Sequence, residues 1–506
     1  MFKRNCFLRI VFLILSLNNI VNAQLIEAKF VDPKYEKSRI VFSDYNFDSF
    51  NELDFFLRVK LSLDFVETIL QDGINLLSND LFDQEDNLKN DVWYPSLSLS
   101  DNSFLYAQKS DEDKSKVIVI GDLHGNYDAL SKIIQDLIKR KILAQDLVIK
   151  DGYKIVTLGD YIDRGSESLQ TVMFLMILKI INPQNYIMLK GNHETRKIIE
   201  DAFECIDMND KISKKFLEHY DFIANVSRTL ILNENERLTI KNIFCDFFDL
   251  LPIAYFLKVK DKVFMFNHAG FSDGFLFVDK VLHEFLQSDL RYAKIEVDDN
   301  SDEIAYRKSL LWSDTLPSFI FENKMKAKLA EQKKYIEDHL LAAKYFLKKP
   351  SKKFSKVDFK KEIKKYSKVL LDFKKISIND GLVFDFSRNA YLFNDKHTSY
   401  LMENCGITVR LCGHDHALIK SILFPDDLWY ESINKITDGF MMMGSRENPV
   451  FNLISAEINQ GSLIVKYNPS YLELIVDQKD WYIWGNSLSE GSELFESKLV
   501  PYCYQL

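Results

Sequence analysis

Five apolar runs of strand length are spaced along the chain, each ending at a glycine or a polar residue: Val117 to Ile120, Ile155 to Leu158, Tyr186 to Leu189, Val263 to Phe266 and Val409 to Cys412. Short apolar runs bounded in this way are read as buried strands. After the first two the period changes, and Asn126 to Arg140 and Leu169 to Ile181 carry apolar residues at helical spacing. Strand, turn and helix are therefore expected in succession, which makes this an α/β chain. Phe50 to Leu77 reads as amphipathic, and Ser78 to Asp91 and Ser110 to Lys116 as polar connectors.

Two further stretches are predicted to be helical. Phe216, Phe222, Phe244, Phe247 and Phe248 indicate packed helices rather than a loop across about 200–250. Met325, Leu329, Ile336 and Leu340 share one helical face, and Phe359, Ile363, Tyr366, Leu370 and Phe373 share another. Pro350 separates these two, so a helical hairpin is the simplest reading of residues 319–376. No internal repeat is found.

Composition narrows the function. With 47% hydrophobic and 13% aromatic residues among 506, the chain can bury a sizeable core. Its net charge of −9 argues against general nucleic-acid binding. That average hides an asymmetry, because residues 321–375 carry 18 lysines against seven acidic residues. The segment reads either as a solvated lysine face on a packing hairpin, or as a lid or docking surface for an acidic, phosphorylated or membrane partner.

Each apolar run leads into a block of chemically active residues. Gly121-Asp122-Leu123-His124-Gly125, Gly159-Asp160-Tyr161-Ile162-Asp163-Arg164-Gly165, Gly191-Asn192-His193-Glu194, His268-Ala269-Gly270 and Gly413-His414-Asp415-His416 hold five of the nine histidines. A strand that ends in such a block delivers its polar residues to the carboxyl edge of a sheet, where open α/β sheets bind ligands. The first blocks precede helices, whose N-terminal amides suit phosphate. Carboxylate, amide and imidazole donors form a set for divalent manganese, iron or zinc. A lone histidine is more often a core or capping residue; five within these blocks read as a two-metal hydrolytic site.

In this order the blocks resemble those of the phosphoprotein phosphatase family, within the calcineurin-like metallophosphoesterases. The resemblance spans roughly residues 115–470 and includes Trp312-Ser313-Asp314. It implies a central β-sandwich flanked by helices, with helical insertions, and a phosphomonoesterase with two divalent metal ions, manganese foremost and iron or zinc next. Carried over, it gives Asp122 and His124 to the first metal, Asn192, His268 and His414 to the second, and Asp160 to both. The nucleophile implied is a metal-bridging hydroxide. Arg164 and Arg388 are implied phosphate clamps, with Asn192 also facing substrate, and His193 the general acid held by Asp163. His416 goes beyond the one histidine of the eukaryotic protein phosphatases and matches the broader superfamily ending, in which the second imidazole ligates the first metal. The alternative for His416 is a hydrogen bond behind the ligands.

The substrate implied is phosphoprotein, at serine, threonine or tyrosine. A nucleotide or small-molecule phosphoesterase is the other enzymatic reading, and a pseudophosphatase that binds phosphorylated partners is the non-enzymatic one. At the amino terminus Lys3, Arg4 and Arg9 precede or open an apolar stretch over Ile10 to Leu17, and Val21-Asn22-Ala23 stands before Gln24. This has the form of a secretory signal peptide, so export to a periplasm or beyond is expected, with no transmembrane span in the mature chain. The organisation expected is a signal peptide over 1–23, an N-terminal extension over 24–115, a catalytic domain over 116–470 and an aromatic C-terminal arm over 471–506. Cys205, Cys245, Cys405, Cys412 and Cys503 are too few and odd in number for a disulfide framework, and Cys412 is expected to pack rather than react.

Overall fold

The computed structural model describes residues 47, 49–82, 104–110, 115–208, 211–270, 292–294, 311, 314–316, 382–385, 390–414, 440–444, 449–453, 455, 458–460, 463–465, 469–476, 480–488 and 498–500. The signal-peptide segment, the lysine-rich hairpin, Trp312, Ser313, Arg388, Asp415 and His416 lie outside the described residues. The chain divides into two compact units, 1–47 and 48–506, and the strands and helices of the described residues belong to the second.

The five apolar runs all form strands. Three of them, Ser115–Ile120 (β2), Tyr153–Thr157 (β3) and Tyr186–Met188 (β4), lie side by side and parallel. The other two, Lys262–Asn267 (β6) and Val409–Cys412 (β11), are parallel neighbours in a second sheet. Alternation along the strands explains why two sheets form. Val117 and Val119 of β2, Phe264 and Phe266 of β6 and Val409 and Leu411 of β11 belong to one buried apolar cluster, so alternate side chains fill the space between the sheets. The remaining face of β2 is also apolar, with Ile118 and Ile120 fully buried, as expected of a strand covered on both sides.

Each sheet is completed by strands that carry no motif. Phe104–Ser110 (β1) pairs in parallel with Ala254–Val259 (β5), and β5 pairs antiparallel with β6. Pro449–Leu453 (β13) flanks β11. On the other sheet Ser470–Val476 (β16) pairs antiparallel with β2, and Trp481–Ser487 (β17) pairs with β16. Strands from beyond the expected limits at 115 and 470 thus pair with strands between them. The extension supplies a strand of one sheet and the aromatic arm supplies three of the other, with Trp481 and Ile483 in the shared core.

Helices cover the sheets. The amphipathic stretch after Phe50 is two helices, Phe50–Val59 (α1) and Leu63–Phe82 (α2). Tyr127–Lys139 (α3) and Ser168–Ile181 (α4) follow β2 and β3. Asn126 caps α3 by accepting from the Ala129 amide, which fixes where the first chemical block ends. The expected insertion is helical: Arg196–Cys205 (α5), Lys211–Leu217 (α6), Phe222–Thr229 (α7) and Glu234–Asp249 (α8). Phe222, Phe244 and Phe248 pack ring to ring inside it. No helix of the described residues is long and apolar enough to cross a membrane. Cys245, Cys405 and Cys412 are buried, as expected of Cys412, and Cys205 is half-buried.

Candidate active site

All five blocks leave the carboxyl ends of parallel strands, three from one sheet and two from the other, and the backbone ties them together. The Leu123 and His124 amides both donate to Asp160 O, Gly413 donates to His268 O, and Ser455 donates to Asp122 O. Residues that hold ligands at such a junction cannot keep extended backbone. His124, Asp160, Asp163, Arg164 and His414 all have positive φ, between 44° and 70°. That cluster of strained non-glycine residues costs of order 1–3 kcal/mol each and marks the site as constrained by its surroundings.

Several of the candidate side chains come together around Asp160. Asp160 is buried, with Oδ1 at 3.3 Å from His268 Nε2 and Oδ2 at 3.4 Å from His124 Nε2. Two donor groups result, His124, Asp160 and His193 in one and Asp160, His268 and His414 in the other, and each has its ligand atoms within 4.8 Å of one another. Asp160 belongs to both. Asn192 Oδ1 lies 2.8 Å from His268 Nε2, which adds the amide to the second group. Asp122 falls outside both groups at that spacing: His414 N donates to its two oxygens at 3.2 and 2.9 Å, and Oδ1 lies 3.8 Å from His268 Nδ1.

The electrostatics follow from crowding acids and imidazoles in a buried space. Burial alone would lower the pKa of His268, but Asp160 and Asp122 outweigh it and raise it to about 9. Burial would likewise raise Asp160, yet His268, His193 and His124 hold its carboxyl well below the ordinary range. Asp160 Oδ2 is buried and accepts no hydrogen bond. A buried carboxylate oxygen left in that state, facing imidazoles, is suited to a divalent cation. The residues present therefore fit the metal ions that the donor chemistry implies.

His193, a member of the first group, also pairs with Asp163 in a dyad. Asp163 Oδ2 lies 2.7 Å from His193 Nδ1, while Asp163 Oδ1 accepts from the Phe222 amide at 2.8 Å. Arg164 Nη2 is 3.1 Å from His193 Nε2, and Arg164 Nη1 is buried without a hydrogen bond. A guanidinium only donates, so in this state Nε2 accepts and Nδ1–H donates to Asp163.

Two contributors went unread in the sequence. Glu194, although inside a quoted block, had no assigned role; its oxygens accept from the amides of Asp160, Tyr161, Ile162 and Gly191 at 2.8–3.3 Å. Burial and the nearby Asp160 push it up to about 8, against the pull of His268 and of the Tyr161 and Asp160 amides. A glutamate directly after a candidate acid was the only signal of it. Arg410 is the other: fully buried in β11, it donates through Nε to Asn267 Oδ1 at 3.0 Å and to Ala269 O, and so fixes the turn that carries His268. Nothing in the spacing distinguished it from the apolar residues around it.

The chain belongs to the calcineurin-like phosphoesterase family, whose family model matches residues 115–418 and so takes in all five blocks. It is similar to a probable serine/threonine-protein phosphatase of Encephalitozoon cuniculi, 27% identical over 203 residues that make up 40% of this chain and 34% of that one. It is also similar to serine/threonine-protein phosphatase PP1-delta of Caenorhabditis elegans, 34% identical over 87 residues, 16% of this chain and 24% of that one. The chain thus spans about a third or less of the length of these relatives. Among solved structures, a protein serine/threonine phosphatase from Saccharomyces cerevisiae with similarity to human phosphatase PP5 matches with a TM-score of 0.46 at 14% identity, over 90% of this chain and 98% of that one. A cold-active protein-tyrosine phosphatase of a Shewanella species matches at 0.33 and 14%, over 79% and 85%.

Proposed function

We propose that this chain is a phosphomonoesterase that works with two divalent metal ions and acts on phosphorylated protein. The observation that carries the reading is Asp160, a buried carboxylate common to two donor groups, with one oxygen accepting no hydrogen bond. Asp122 and His124 would hold one ion, Asn192, His268 and His414 the other, and Asp160 both. Roles for His416 as a ligand and Arg388 as a clamp rest on the resemblance of their segments alone. Two such cations, manganese foremost, would supply Lewis-acid polarisation of the phosphoryl group and water acidified to near neutrality.

The residues of the chain do the rest. Arg164 turns its guanidinium from His193 to the phosphoryl oxygens, where paired donors match the spread charge. Its buried, unpaired Nη1 is the group that this movement would satisfy. Once Arg164 has left, His193 Nε2 is free to carry a proton, and Asp163 at 2.7 Å stabilises the imidazolium and fixes the ring. The proton then passes from Nε2 to the leaving oxygen. Support for phosphoprotein as substrate comes from the names of the relatives, each similar over part of its length.

The test is turnover of a phosphopeptide, a nucleotide and an aryl phosphate with manganese present. Chelator-sensitive turnover of the phosphopeptide is expected, abolished in Asp160→Asn and reduced about 10²-fold or more in His193→Ala. Unchanged rates in both variants sink the mechanism, and turnover of nucleotides alone replaces the substrate assignment.

A further inference from the structure

The helical insertion does more than enlarge the fold, because the turn between α6 and α7 packs directly on the acid dyad. The Tyr220 ring lies 5.0 Å from the His193 imidazole with their planes 35° apart, and Phe216 backs Tyr220 from 4.7 Å. His124 meets the same imidazole edge-on at 4.8 Å. Two residues along, the Phe222 amide donates to Asp163 Oδ1, and the Asn225 side chain donates to Ser166 O at 2.8 Å. Ser168 Oγ in turn accepts from the Asp163 amide at 3.1 Å. One short segment of the insertion thus contacts both members of the dyad and the loop that carries Asp163.

The geometry points to Tyr220 as a positioning residue for leaving-group protonation: with Phe216 behind it, its ring fixes the plane in which His193 Nε2 presents its proton. This rests on His193 being the acid proposed above. An imidazole held only at Nδ1 keeps freedom to swing about that hydrogen bond, and a ring packed against it at 5.0 Å restricts that freedom. In the step itself the P–O ester bond breaks, its electron pair stays on the leaving oxygen, and that oxygen takes the proton from Nε2. Water supplies the oxygen that ends on phosphorus, so the ester and water give phosphate and an alcohol. An alcohol of high pKa, such as a serine side chain, depends on the proton, whereas nitrophenolate leaves without it. Misaligned protonation therefore has a signature that general loss of structure lacks.

The experiment compares kcat for a phosphoserine peptide and p-nitrophenyl phosphate in the full chain with manganese. Tyr220→Ala and Tyr220→Leu are each expected to lower kcat on the peptide about 10-fold more than on the aryl ester, with KM within about twofold. Tyr220→Phe, which keeps the ring, restores most of the wild-type ratio. His193→Ala gives the same selectivity on a larger scale, as the calibration for loss of the proton. Equal losses on both substrates, or a change confined to KM, overturn the proposal while a steep His193→Ala effect leaves the phosphatase reading standing. Should Tyr220→Ala prove unfolded, Tyr220→Leu, which keeps an apolar side chain there, decides. Absence of wild-type turnover on the peptide overturns this proposal, and absence on both esters and on the nucleotide overturns the phosphatase reading with it.

Discussion

A methyl group at residue 191 would lie 2.2 Å from Asp160 N and 2.6 Å from Glu194 Oε2, so glycine there is what allows Glu194 to reach four amides at once. The same holds at Gly413, where a Cβ would lie 2.0 Å from Asp122 Oδ1. Both glycines are places where one ligand-bearing block must touch another. Glu194 is the residue on which this depends most. Above about pH 8, where its carboxyl is ionised, Glu194→Gln replaces one of two accepting oxygens with an NH2 that faces N–H groups, leaving two buried donors unmatched. Each such donor costs roughly 1–3 kcal/mol, so a drop of at least ~2 kcal/mol is expected from the urea midpoint at constant m-value. A midpoint within error of wild type removes Glu194 from this role. At this scale the candidate ligands were legible because donor chemistry is a property of residue type. Glu194, Arg410 and Tyr220 were not, since what they do is set by backbone amides, carbonyls and rings far away in sequence.

The elements were legible where their signal is local. Each apolar run ahead of a block became a strand; the start of α8, where Asn233 and Glu236 form a reciprocal capping box, carries an equally local signal that was not among the expectations. Sheet membership was not legible, because the pairing of β1 with β5 and of β16 with β2 joins segments well over a hundred residues apart. Nothing local to β16 distinguishes a strand beside β2 from a free arm. The far end of α8 shows how an insertion is bound to the site. Asp249 accepts from Lys190 at 3.0 Å and from Arg196 at 2.7 Å, and Lys190 is almost fully buried immediately before Gly191 and Asn192. Asp249→Ala leaves that ammonium buried and unpaired, and a cost of about 3–5 kcal/mol is expected. Thermal unfolding measures it, and an unchanged midpoint would mean that the insertion is anchored elsewhere.

For the whole molecule the consequence is a site built from two sheets that brings acids and imidazoles together at a cost. Without cations, protons must compensate. Asp122 and Asp160 raise His268 to about 9, so its contribution to stability is complete below its ordinary 6.5 and is lost as pH rises towards 9. Asp160, held well below its ordinary 3.8, contributes above that value and loses its contribution only as pH falls beneath it. Chelator-treated protein should therefore become less stable between pH 6.5 and 9 through this group. Manganese, bound there as proposed, would replace the proton as the positive partner, so binding should release protons and remove the decline. At about 100 times its Kd an ion that binds only the folded state adds about 2.7 kcal/mol, which raises Tm measurably in a chain of this size. Scanning calorimetry across that pH range, with and without manganese, together with calorimetric titration in buffers of different ionisation enthalpy, tests both statements. A Tm that ignores manganese, or binding with no proton release near pH ~8, where His268 would still hold its proton, would mean that the two sheets bring these donors together for stability alone.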